Sequence, residues 1–260
     1  MNLFFFGSAA RQLFGAYHAP RAGAPARGAV VLCAPWGVEY FVSHRIMRRL
    51  ATRLSDSGYH VLRFDYFGSG DSAGEREEGD LETWLADASL ATDELRDLSG
   101  MSTVATIGIR LGAVIGWRLA ATRPDVRSVV MWDPIVNGAD YVKELQATQR
   151  EIDRWTLSPL PIRRPDGVLE LLGNPLTPAM RRSIEAVTLA DFFVPAASTR
   201  LALFHSEPFS AEKPLRQALA KAGATVRVES VPGQAPWRQD VRGPGGMAYG
   251  ALERIVELQP

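Results

Sequence analysis

Apolar and polar positions follow two periods along this chain. Short apolar runs rich in β-branched residues, at 28–34, 59–64, 103–109 and 127–132, alternate with longer stretches at 43–57, 80–98 and 111–122 that have helical character. Such runs fit strands buried on both faces, and the intervening stretches fit amphipathic helices. Their succession predicts an α/β fold with a mostly parallel twisted sheet flanked by helices. Residues 2–6 and 13–18 predict an opening hairpin. Beyond residue 135 the pattern loosens. Residues 136–198 are rich in proline and arginine (Pro159, Pro161, Pro165, Pro175, Pro178, Arg163, Arg164) but keep amphipathic segments at 139–153 and 178–189, which reads as an insertion or lid. A strand at 199–205, a helix at 211–222, a strand at 225–231 and a helix at 245–258 then close the domain. The expected organisation is a core of residues 1–135 and 199–260 with the lid 136–198 between its halves. No internal repeat or low-complexity tract interrupts it.

Composition narrows the class. The 260 residues, 46% hydrophobic and 22% charged, suffice for one sizeable core without disulfides, and the single cysteine, Cys33, lies inside a predicted strand. Twenty-nine basic residues balance 29 acidic ones, so no overall field favours nucleic acid or an anionic membrane, and neither is expected as a partner. The apolar run Leu3-Phe4-Phe5-Phe6 lacks a basic flank and is far shorter than a signal-peptide core, which implies a cytoplasmic protein. The four histidines (His18, His44, His60, His205) are scattered without metal-ligand spacing, so no metal and no other cofactor is expected.

One stretch departs from its own pattern. Residues 104–116, VATIGIRLGAVIG, run from a strand through Gly108-Ile109-Arg110-Leu111-Gly112 into a helix, the shape of the G-x-S-x-G turn that lifts a serine nucleophile over a sheet. Its middle residue is Arg110. Together with the order of elements and the run Asp65-Tyr66-Phe67-Gly68-Ser69-Gly70-Asp71-Ser72, this turn makes the chain resemble an α/β-hydrolase. A closer likeness rests on Ala34-Pro35-Trp36-Gly37-Val38-Glu39, Ser43-His44-Arg45, Gly70-Asp71-Ser72-Ala73-Gly74, Gly108 to Ala113, Trp132-Asp133-Pro134-Ile135-Val136-Asn137-Gly138 and Gly233-Gln234-Ala235-Pro236-Trp237. These blocks are similar to those of the second type of hydrolase associated with exosortase A systems. That resemblance implies an arginine at the elbow as a family feature and a fold, rather than a reaction, behind the word hydrolase. A weaker analogy is to atypical α/β-hydrolases of peptide natural-product pathways, which also lack a triad.

In this fold the triad acid and histidine follow the strand after the insertion and the last strand. The corresponding turns here are Ser206-Glu207-Pro208-Phe209 and Gly233-Gln234-Ala235-Pro236-Trp237, which hold neither in its usual place. Ordinary Ser-His-Asp hydrolysis is therefore not expected, because a serine without a base is a weak nucleophile and this elbow offers no serine.

An arginine at the elbow points into the cavity above the strand ends, beside the unpaired amides of the following helix, which together make an anion receptor. Buried, it needs a ligand anion or a protein carboxylate, with Glu39, Asp133 and Glu207 as candidates. Catalytic candidates are thus Arg110, with Glu39, Asp133 or His44 as proton carrier. Trp36, Gly37, Leu111, Trp132, Trp237 and Tyr141 are the expected substrate-binding positions, Leu111 and Trp36 or Gly37 through oxyanion-hole amides. Three functions compete: a biosynthetic enzyme acting without a covalent intermediate on an acyl or peptidyl substrate; a pseudohydrolase that binds a small molecule, a peptide or a carrier-bound product; and a hydrolase using another nucleophile such as Ser43 or Ser206. A free proton carrier beside Arg110 marks the first, and a fully ion-paired, closed pocket the second. The expected partners are the substrate, a carrier protein and a second copy as homodimer.

Overall fold

The computed structural model describes residues 1–23, 25–155, 167–193, 200–206, 211–223, 225–231, 235–238 and 249–257. The chain opens with the antiparallel hairpin of β1 (Asn2–Ser8) and β2 (Arg11–His18), followed by β3 (Gly28–Cys33), α1 (Val38–Asp56), β4 (Tyr59–Phe64), α2 (Leu81–Ser99), β5 (Val104–Ile109), α3 (Leu111–Thr122) and β6 (Val126–Trp132). Next come α4 (Gly138–Trp155), a small hairpin of β7 (Leu169–Leu171) and β8 (Asn174–Leu176), α5 (Pro178–Glu185) and a 3-10 turn (Leu189–Phe193). The sequence continues with β9 (Arg200–His205), α6 (Glu212–Lys221), β10 (Thr225–Ser230) and α7 (Tyr249–Glu257). Eight strands form one sheet in the order β1-β2-β4-β3-β5-β6-β9-β10, antiparallel at β1, β2 and β4 and parallel thereafter.

The buried apolar residues divide between the two faces. On one, Val31, Leu62 and Met131 of the strands pack with Trp84 of α2, Trp117 of α3 and Leu215 of α6. On the other, Val30, Val61, Ile107 and Trp132 pack with Met47 and Leu50 of α1 and Ile255 of α7. This double covering is what the unalternating apolar runs require.

The predicted boundaries hold to within a residue or two for most elements and fail where a polar residue interrupts the pattern. α1 begins at Val38, five positions ahead of the expected 43, because its first turn carries the buried Glu39, which breaks the apolar stripe. The segment 178–189 is not one helix. α5 stops at Glu185, and Asp191 accepts the Thr188 amide (2.8 Å) to start the 3-10 turn. The hairpin β7–β8 escaped prediction because its strands have three residues each. Pro159, Pro161, Arg163, Arg164 and Pro165 lie outside the described residues, as do positions 245–248 of the expected last helix.

The described part of 136–198 lies against the core. Gly138 donates its amide to Val187 (2.8 Å), the Leu81 amide of α2 donates to the Ser183 hydroxyl of α5 (3.2 Å), and the Trp117 indole of α3 donates to the Asp191 carbonyl (3.0 Å). α4 is thereby held across the C-terminal ends of the strands.

Candidate functional site

The turn between β5 and α3 is fixed by backbone packing. A β-carbon on Gly112 would sit 2.1 Å from the Cys33 carbonyl oxygen and 2.6 Å from that of Ala34, and one on Gly108 would sit 2.2 Å from the Gly112 carbonyl. Only glycine lets the start of α3 press this closely on the end of β3. Arg110, between them, takes φ 55° and ψ −117°, with its amide donating to Trp132 (3.0 Å) and its carbonyl accepting from Ala113 (3.1 Å). A non-glycine residue in this region stores about 1–3 kcal/mol of strain, which the surrounding hydrogen bonds must offset.

The Arg110 side chain is buried and bonded. Its Nε donates to Glu39 Oε1 (3.0 Å) and its Nη2 to Glu144 Oε2 (2.9 Å), while the guanidinium carbon lies 3.8 Å from the Trp237 ring centroid and 5.1 Å from that of Tyr141. Nη1 has no hydrogen-bond partner among the described residues. Burial opposes the arginine's charge, but the two carboxylates outweigh it and hold its pKa above the usual value. Glu39 is nearly inaccessible. Its Oε2 accepts the Tyr141 hydroxyl (2.8 Å), yet burial raises its pKa despite the cation and that hydrogen bond. Tyr141 is raised well above the ordinary phenol, by burial first and then by the neighbouring Glu39 charge. Glu144 differs, with 46% of its side chain exposed.

Of the expected site residues, Arg110, Glu39, Tyr141 and Trp237 meet in this cluster, and Trp36 and Leu111 are buried in the core on the α2 and α3 side. Gly37 caps α1 with φ 64°. Three others lie elsewhere. Asp133 is not a partner of Arg110, since its Oδ1 accepts the Ser206 amide (2.9 Å) and its Oδ2 the Trp237 indole (2.8 Å), so it positions the ring that covers the guanidinium. Trp132 is fully buried on the α1 side, its indole donating to the Ser206 hydroxyl (2.8 Å), which makes it a core residue rather than a ligand contact. His44 projects from the exposed stripe of α1 toward Arg63 (Nη1 to Nε2, 3.3 Å), because Glu39 and Ser43 take the inward face of that helix.

Ser43 donates to the Tyr40 carbonyl (3.4 Å), and His205 faces Glu212 (3.5 Å), so among the described residues no histidine serves a serine. Leu145 of α4 is buried in the core on the α2 and α3 side; the Trp155 side chain, Glu207, Gly233 and Gln234 lie outside the described residues. Sequence reasoning missed Glu144. Its signal was its place three residues after Tyr141, on the same side of a helix. No three described His, Cys, Asp or Glu side chains are grouped to hold a metal, and no described helix is long and apolar enough to cross a membrane.

A mostly parallel sheet flanked by helices on both faces, with a strained strand-to-helix turn at the carboxyl ends of its strands, defines an α/β-hydrolase fold. The chain belongs to the serine aminopeptidase S33 family of hydrolases, whose model matches residues 24–187. No curated protein matches it. Among solved structures it is similar to Est1E from Butyrivibrio proteoclasticus with ferulic acid bound (16% identity, TM-score 0.67, covering 98% of this chain and 96% of that one). It is also similar to DcsB in complex with its substrate analogue (14%, 0.67, 98% and 97%) and to proline iminopeptidase from Mycobacterium smegmatis (11%, 0.65, 98% and 97%). At these identities the likeness is one of fold.

Proposed function

We propose that this protein is a pseudohydrolase of the type associated with exosortase A systems, with Arg110 standing where serine hydrolases of this fold carry their nucleophile, and that it binds an acyl or peptidyl carboxylate or carbonyl in a biosynthetic pathway without a covalent intermediate. The observation that carries this reading is the state of Arg110, which is buried, bonded at Nε and Nη2 to two carboxylates and covered by Trp237. A guanidinium so engaged offers a ligand Nη1, the start of α3 and whatever Glu144 releases. It is a receptor and not a nucleophile. Region 136–198 acts as a lid, with Tyr141 and Glu144 as its contacts to the site, and the ligand arrives free or on a carrier protein in the cytoplasm.

A second reading is favoured by Glu39, a carboxyl whose pKa burial raises and which touches both Arg110 and the Tyr141 hydroxyl. Such a group can hold or release a proton beside an oxyanion stabilised by Arg110, giving an isomerase, cyclase or lyase. One set of measurements separates the readings. Native mass spectrometry and calorimetry against a panel of acyl and peptidyl carboxylates should show binding that is lost in Arg110→Met, with the bound compound recovered unchanged. Recovery of a converted compound supports the second reading, and stoichiometric labelling of a serine by a fluorophosphonate overturns both.

A further inference from the structure

A second cluster of cations lies on the opposite side of α1 from Arg110. Antiparallel registration aligns three rows of side chains across the sheet face that carries α1: Leu3 pairs with Ala16 and Ala16 with Arg63, His18 pairs with Val61, and Phe5 pairs with Phe14, whose carbonyl accepts the Asp65 amide (2.9 Å). From α1, His44 reaches this face and Arg48 follows one turn later.

The charges there are poorly compensated. The Arg63 side chain is half-buried, its Nε is buried with no hydrogen-bond partner, and its one hydrogen bond among the described residues is to the His44 ring. Asp65 is the nearest carboxylate, but its oxygens are committed, Oδ1 to the Tyr40 hydroxyl (2.6 Å) and Oδ2 to the Asp71 amide (3.0 Å). Arg45 and Arg48, exposed on the same helix, form no ion pair among the described residues. His18 is buried with Nε2 unpartnered, and its pKa is lowered to about 4 by burial and by the fields of Arg63 and Arg48. Asp65 offsets part of the Arg63 charge through space but gives it no hydrogen bond, and a partly buried guanidinium with an unpartnered Nε gains from an external anion.

Beside this cluster stand three of the exposed large apolar side chains of the protein. Leu3 (54% exposed) and Phe5 (56%) line the outward column of the edge strand β1, and Phe41 (79%) precedes His44 by one helical turn. Apolar side chains exposed next to arginines that form no ion pair among the described residues match the two layers of a lipid surface, acyl chains beneath anionic headgroups. A second copy of the chain fits less well, since pairing this face with itself would oppose arginine to arginine.

We propose that the face formed by β1, β2, β4 and the Phe41–Arg48 stripe of α1 is a docking surface for an anionic lipid bilayer, with a lipid phosphate received by Arg63, Arg48 and His44 and with Leu3, Phe5 and Phe41 entering the headgroup region. The balanced net charge of the chain hides this local asymmetry. The inference is independent of the ligand at Arg110.

The test is co-sedimentation of the full chain with vesicles of phosphatidylcholine alone and of phosphatidylcholine mixed with phosphatidylglycerol. Binding is expected to the mixed vesicles only and to fall with added salt. Arg48→Gln should weaken it roughly fivefold, the effect of one cation near such a surface. Phe5→Ser and Phe41→Ser, both at exposed positions, should weaken it while leaving the melting temperature in place. Arg63→Gln, judged only if it melts like the parent, should weaken it most. Three results overturn the proposal: no binding to mixed vesicles, binding unaffected by all four variants, or stabilisation by inorganic phosphate without vesicle binding, which assigns the cluster to a soluble anion. A concentration-dependent dimer abolished by Phe5→Ser assigns the face to a second copy and overturns it as well.

Discussion

Replacing Arg110 by methionine removes the cation from Glu39 while keeping most of the side-chain volume. Glu39 is then a buried carboxylate whose one remaining donor among the described residues is the Tyr141 hydroxyl. Its cost has a ceiling, because the group can take up a proton. Holding a carboxyl of ordinary pKa 4.5 protonated at pH 7 costs 1.36 kcal/mol per pH unit, about 3.4 kcal/mol in all. Loss of the Trp237 stacking adds about 0.5–2 kcal/mol. The Glu144 contact adds little, since that side chain is half in solvent. The variant should therefore lose at most about 4–5 kcal/mol at pH 7, less what the already raised Glu39 pKa costs the parent, within the roughly 3–5 kcal/mol expected when one partner of a buried pair is removed.

The sign of the pH dependence follows. With the folded-state pKa of Glu39 raised further, the native state of the variant binds a proton that the unfolded state gives up above 4.5, so stability is present at low pH and lost as pH rises. At pH 5 the proton costs only about 0.7 kcal/mol, and most of the deficit should vanish. Urea unfolding of parent and variant at pH 5 and 7 measures this. Arg110→Met/Glu39→Leu should recover much of the loss at pH 7. A deficit that is the same at both pH values, or a double variant no better than the single one, would refute the assignment of the cost to Glu39.

Gly112→Ala should lose about 1–3 kcal/mol or more, or fail to fold, because its methyl group meets the Cys33 and Ala34 carbonyls and the packed backbone must move apart; a parent-like melting curve would refute the close approach. Cys33, buried with its pKa pushed up to about 12 by burial, should resist thiol reagents in the native protein and react on unfolding, which a time course with Ellman's reagent would show. Glu144→Gln should change stability by less than about 1 kcal/mol yet strengthen carboxylate binding at Arg110, as titration calorimetry would detect.

The legible parts of this fold are those where period and burial agree. Strands 59–64 and helix 111–122 match their predicted limits because both are bounded by a turn and filled with apolar residues. The elbow was legible from two glycines four residues apart, and the need of Arg110 for a carboxylate, with Glu39 one of three candidates, from the rule that a buried cation must be paired. What could not be read was choice among equals. Asp133 and Glu39 are both carboxylates at strand ends, and only the placement of the Trp237 indole decides that Asp133 serves an aromatic ring. Trp132 and Trp237 are likewise both tryptophans near the rim and both pack on the α1 side, and only their contacts separate them, the first bonding Ser206 and the second covering Arg110. Glu144 was overlooked although its spacing from Tyr141 puts it on the same side of the helix, because a charged residue in a helix is ordinarily solvent-facing, and nearly half of its side chain is.

The backbone at residue 110, at φ 55°, is bonded through its amide to Trp132 and through its carbonyl to Ala113, between two glycines whose neighbours leave no room for a side chain. The turn is thus a fixed mount. Whatever residue occupies it leaves the main chain along the same direction, so a cysteine placed there would carry a fluorophore or spin label on a short stem next to α4, turning the position into a test of whether that helix moves at all.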